Sequence, residues 1–134
     1  MLRIGFLPSD FNPMLLMLGE ADDLRLLAGV LRRFAREQRD VRLEELGFCA
    51  GARTHVTLTA SPGPLGIQPM SAAGSFQWRL DPAKANEFAE LIDQLALPSR
   101  AAGSELLACT TEEEILVKVS RGEYTDDFLL GEAA

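Results

Sequence analysis

The spacing of apolar residues changes along this chain, and that change constrains the fold more than any other feature. Leu24, Leu27, Ala28, Leu31, Phe34 and Ala35 fall on one helix face, because side chains three and four residues apart line up along a helix. Asp22 and Asp23 stand where an N-cap and first-turn negative charge favour a helix start. Gly29 lies inside the stripe and costs about 1 kcal/mol relative to alanine, so it is read as a close packing contact. Asp81-Pro82 predicts a second helix, with aspartate as N-cap and proline at the first helical position. Ala85, Phe88, Ala89, Leu91, Ile92, Leu95 and Ala96 give it an apolar face, and Pro98 ends it.

Outside these stretches the period is two, or the run is short and wholly apolar, which is strand behaviour. Arg3–Leu7 reads as an edge strand, Met14–Leu18 as a buried one and Val41–Leu46 as an alternating one. In Thr54–Ala60, Val56, Leu58 and Ala60 point one way and His55, Thr57 and Thr59 the other. Leu65–Met70 contains Pro69, which suits a sheet edge. Ser75–Leu80 places Phe76, Trp78 and Leu80 inward. The strands from Val41 to Leu80 read as an antiparallel meander. Glu105–Thr110 and Ile115–Ser120 read as a hairpin around Thr111–Glu114. No internal repeat or linker is visible. The expectation is one α+β domain over residues 1–134, with a mostly antiparallel sheet of five to seven strands and both helices packed on one face.

The formal net charge of −7 is unevenly spread. Residues 46–80 hold no acid at all, whereas residues 81–134 hold twelve acids against four bases. An acidic surface repels phosphate backbones, so nucleic acid is not an expected partner. The longest apolar run, Met14–Leu18, is five residues, far short of a membrane span. MLRIGFLPSD lacks an apolar core followed by a small-residue cleavage site. These features point to a cytoplasmic, soluble protein with no membrane partner.

Catalytic and cofactor chemistry finds little purchase. His55 is the sole histidine, and Cys49 and Cys109 stand far apart without a CxxC pair; a metal site needs several such ligands together. No nucleophile elbow, dinucleotide fingerprint or phosphate loop occurs. In Gly63-Pro64-Leu65-Gly66 the proline lacks the amide that anion binding would use. Glu112, Glu113 and Glu114 belong to a hydrated hairpin tip. The chain is therefore expected to be no enzyme and to hold no cofactor.

Two features remain as candidate partner-binding surfaces. Arg25, Arg32, Arg36 and Arg39 share a second face of the first helix, either as solvated surface or as a contact for acidic groups, including the chain's own. Near the C-terminus, Glu123, Tyr124, Asp126 and Asp127 combine acids with the only tyrosine. Tyrosine is favoured at interfaces and acids steer basic partners.

Gly19-Glu20-Ala21-Asp22-Asp23-Leu24 with Leu27-Ala28 and Leu31, Phe76-Gln77-Trp78-Arg79-Leu80 leading into a proline-started helix, and Val119-Ser120-Arg121-Gly122-Glu123-Tyr124 together resemble small bacterial immunity-type proteins of polymorphic toxin systems. The resemblance implies a non-enzymatic inhibitor that binds a cognate toxin and has no catalytic residues to carry over. Three readings stay open here. One is a protein-binding domain with a basic-surfaced partner. Another is a small-molecule-binding domain or small enzyme, with a pocket between helix and sheet lined by Trp78 near His55. The last is a homo-oligomer joining Arg ridge to acidic end.

Overall fold

The computed structural model describes residues 1–8, 13–51, 53–99, 102–110 and 114–122. Its strands are β1 (Leu2–Leu7), β2 (Met14–Leu18), β3 (Val41–Arg42), β4 (Cys49–Ala50), β5 (His55–Thr59), β6 (Gly66–Pro69), β7 (Ser75–Arg79), β8 (Gly103–Leu107) and β9 (Leu116–Arg121); its helices are α1 (Ala21–Glu37) and α2 (Pro82–Leu95). The fold is α+β as expected, but the strands form two mixed sheets rather than one mostly antiparallel sheet. The larger runs β4-β1-β2-β9-β8 and the smaller β3-β5-β7-β6. In the larger sheet β1 is antiparallel to β2, β8 is antiparallel to β9, and β2 lies parallel to β9. In the smaller, β5 lies parallel to β7, with β3 and β6 antiparallel on the outside. The expected meander is thus broken, because β6 pairs on the far side of β7 and leaves β7 free to meet β5.

Several local expectations shift for physical reasons. The strand at Val41 stops at Arg42, since the chain tightens into a 3-10 turn at Leu43–Glu45 that drives Leu43 into the core. β1 is not an edge, because β4 pairs with it in parallel. The N-cap of α1 is Glu20, and Asp23 reaches back to accept its backbone N–H at 3.0 Å. Gly29 is no close contact, for an added Cβ there would meet nothing within 4 Å. The helix α2 begins as expected, with the Asp81 carboxylate accepting the Lys84 N–H at 2.7 Å.

Beneath the topology lies a repeat that side-chain identity hides. Apart from the 3-10 turn and β4, which lie between β3 and β5 in the first half alone, β1-β2-α1-β3-β5 and β6-β7-α2-β8-β9 have the same element order. Each starts as a hairpin in one sheet and, after its helix, finishes as a hairpin in the other. A constant offset in residue number carries Leu15 and Met17 of β2 onto Phe76 and Trp78 of β7. The same offset carries Leu24, Leu27, Ala28, Leu31, Phe34 and Ala35 onto Ala85, Phe88, Ala89, Ile92, Leu95 and Ala96, and Val56 and Leu58 onto Val117 and Val119. Every one of these residues is buried in one core. Parallel pairing respects the offset too: Leu15 faces Val117 as Phe76 faces Val56. The two helices pack on each other, and ring contacts such as Phe6–Phe76 at 4.8 Å and Trp78–Phe88 at 6.0 Å knit the sheets and helices together. Among the described residues, the only buried apolar side chains outside this core are Leu16 and Leu18, on the opposite face of β2.

Candidate functional site

Alternation decides which residues of the smaller sheet face outward. With Val56, Leu58, Phe76 and Trp78 in the core, His55, Thr57, Ser75, Gln77 and Arg79 take the other side. Strand register then sets Arg42, Thr57, Gln77 and Gln68 side by side across all four strands. Two depressions lie over this row, one of about 600 Å³ and one of about 360 Å³. Arg42, Thr57 and Met70 border both, so the two form one trough.

The walls are polar and weakly tied. Arg42 Nη1 stands 3.7 Å from Glu45 Oε1, and His55 Nδ1 stands 3.8 Å from Glu44 Oε1. At one end the Asp40 carboxylate accepts the Ala60 N–H at 3.1 Å. Arg79 is anchored more firmly: its Nε donates to the Ser61 carbonyl at 3.0 Å and its Nη1 to that of Pro64 at 3.4 Å. Gly63 makes room for that guanidinium, since a Cβ there would lie 2.7 Å from Nη1 and its φ of +149° suits glycine. Met70, 46% exposed, adds an apolar surface beside the polar floor.

Two of the arginines singled out from sequence point inward to the chain's own second helix. Arg25 donates to Asp22 at 2.8 Å and to the carbonyl of Ala96 at 3.2 Å. Arg32 pairs with Asp93 at 2.6 Å and Glu90 at 3.5 Å. Arg36 stands exposed in the last turn of α1. Arg121 joins Arg25 at the end of α2, donating to the carbonyls of Leu95 and Leu97 at 3.1 and 3.0 Å. These arginines satisfy carbonyls that a helix C-terminus leaves open and place positive charge at its negative pole. Glu123, Tyr124, Asp126 and Asp127 lie outside the described residues, as does the hairpin tip at 111–113.

Trp78 is buried against Phe88, while His55 lies on the other face of the sheet. The two therefore do not share a pocket between helix and sheet. Both cysteines are free thiols. Burial, aided by the charge of Asp23, pushes Cys49 up to about 11; burial, aided by Glu114, pushes Cys109 up to about 11. Thiols held that high carry little nucleophilic thiolate near neutrality. Among the described residues no group of three or more His, Cys, Asp or Glu is placed to hold a metal ion. No described helix is long and apolar enough to cross a membrane.

The trough itself was half visible in sequence, where the polar faces of Thr54–Ala60 and Ser75–Leu80 stand out. What joins them, the parallel pairing of β5 and β7, leaves no mark in local spacing. No family model, curated protein or solved structure matches the chain.

Proposed function

We propose that this chain is a non-enzymatic protein-binding domain that receives its partner on the outer face of the smaller sheet, an immunity-like inhibitor being the specific form. The observation that carries the reading is the continuous trough over Arg42, Thr57 and Gln77. Parallel strands are ordinarily covered on both faces, and the β5–β7 pair presents its outer side as an open, hydroxyl- and amide-lined surface. Shallow polar troughs with one exposed apolar side chain suit protein surfaces better than deep apolar ligand pockets do.

The test uses the protein encoded beside this one as binding partner, titrated calorimetrically against the full chain. A 1:1 complex is expected, and Thr57→Arg, which fills the floor of the trough without touching the core, should weaken it at least about tenfold. A complex indifferent to Thr57→Arg, but lost when residues 123–134 are removed, would move the binding surface to the acidic C-terminal residues and defeat the trough reading.

A further inference from the structure

Resting on that reading, we infer that the trough takes a lysine- or arginine-bearing segment of its protein partner. The charges around it are lopsided. Asp40, Glu44 and Glu45 stand along the β3 side with Arg42, and a second cation on this face, Arg79, is held at the other end by the Ser61 and Pro64 carbonyls. Arg42 is already opposed by Glu45 at 3.7 Å, and Glu44, 3.8 Å from His55 Nδ1, and Asp40 add further negative charge along that side. Opposite them at the His55 end Ser71, Ala72 and Ser75 carry no charge, so a cation entering at that end, away from Arg79, meets the acids on one side and uncharged groups on the other. Thr57 on the floor offers an oxygen that accepts from an ammonium or guanidinium, as the Gln77 oxygen already does from Arg79, and Met70 can cover the methylene stem behind it.

The corresponding face of the larger sheet gives an internal contrast. The offset that relates the halves carries His55, Thr57, Gln77 and Arg79 onto Leu116, Lys118, Leu16 and Leu18. There Leu16 and Leu18 are 1% and 2% exposed, and a cation, Lys118, replaces the threonine of the floor. The fold does not require a polar outer face, since the same architecture is built with leucines there.

Nuclear magnetic resonance titration of the full chain with tetralysine and, separately, tetraglutamate tests this directly. Tetralysine is expected to shift the amides of His55, Thr57 and Gln77 in a salt-sensitive way, and tetraglutamate to leave them unmoved. Glu44→Gln with Glu45→Gln should weaken tetralysine about fivefold, as the loss of two screened surface charges implies. Shifts confined to other acids, such as Glu87 and Glu90, or affinity unchanged in the double variant, would overturn the inference. The calorimetric complex separates the two levels. If Thr57→Arg abolishes it while the double glutamine variant leaves it intact, the trough stands as a binding surface and the basic partner segment falls. If neither variant matters, both fall.

Discussion

Leu16 and Leu18 on the larger sheet correspond in position to Gln77 and Arg79 on the smaller, and these four residues divide the halves of the molecule more sharply than anything in the core. Inside, corresponding positions keep their character while changing size: Met17 matches Trp78, Leu27 matches Phe88, and Leu31 matches Ile92. Outside, character itself is exchanged. One sheet buries leucines on its outer side and the other keeps that side wet. A repeated architecture can vary core volume only if neighbours compensate, because interiors are close-packed. Its surfaces are under no such constraint, and there the halves are free to take different tasks.

The largest expected effects probe the shared core. Trp78→Ala should cost about 3–5 kcal/mol and its counterpart Met17→Ala about 2–5 kcal/mol, measured by urea unfolding. Both residues are nearly or wholly inaccessible. If one proved nearly neutral, the two halves would not be contributing equally to a single core. The next effect is a deliberate exchange between the outer faces. Leu16→Gln places an amide where the native side chain is 1% exposed, and should destabilise by about 2–4 kcal/mol. The reverse exchange, Gln77→Leu on the open face, should move stability by less than about 0.5 kcal/mol. Equal costs for the two would erase the distinction between a closed outer face and an open one.

Much of the local structure was legible because it depends on local spacing. The apolar stripe from Leu24 to Ala35 and the Asp81-Pro82 start needed no tertiary information. Neither did the alternation in His55–Thr59 and Ser75–Arg79. Pairing was not legible. Alternation tells which face of a strand is buried but not which strand lies beside it, so nothing near Val56 announces Phe76 as its neighbour. The repeat escaped for a related reason: packing preserved burial at Met17 and Trp78, or Leu24 and Ala85, while residue identity drifted. Of the Arg ridge, Arg25, Arg32 and Arg36 lie on α1 while Arg39 falls beyond its left-handed C-cap at Gln38, and spacing alone could not show that Arg25 and Arg32 turn towards α2. The trough combines both difficulties, since its polar residues carry no periodic apolar signal and its shape depends on a parallel pairing.

The helix starts offer a gentler comparison. The two N-caps, Glu20 and Asp81, occupy corresponding positions, but α1 adds the reciprocal carboxylate of Asp23. Burial on its own would raise the Asp23 carboxyl. Hydrogen bonds from the Met1 amine, at 2.8 Å, and from the Glu20 N–H outweigh it, with help from the charges of that amine and Arg3, and hold the group below its usual 3.8. A carboxylate lowered in the folded state stabilises above its unfolded value and loses that contribution as pH falls through the folded one. Asp23→Asn should therefore cost about 1 kcal/mol at pH 7 and less at pH 2, compared by urea unfolding at the two pH values. An equal cost at both would mean that the charge of Asp23 plays no part.

The smallest effect lies where the halves meet. Arg32 and Asp93 are themselves counterparts under the offset, and they touch at 2.6 Å. In a twofold arrangement only residues near the axis meet their own equivalents, so this pair marks the approximate axis between α1 and α2. A strictly repeated sequence would set like charges against each other here; the chain instead carries opposite ones. The side chains are each 37% exposed, so solvent screens the pair and Arg32→Ala should cost only about 0.5 kcal/mol. Arg32→Asp should cost more, roughly 1 kcal/mol, since two carboxylates then share the site with Glu90 nearby. Adding Asp93→Arg to Arg32→Asp should restore most of that loss, in a double-mutant cycle run at low and high salt. A cycle with no coupling would show that packing between Leu31, Ile92 and their neighbours holds the helices at the axis without help from charge.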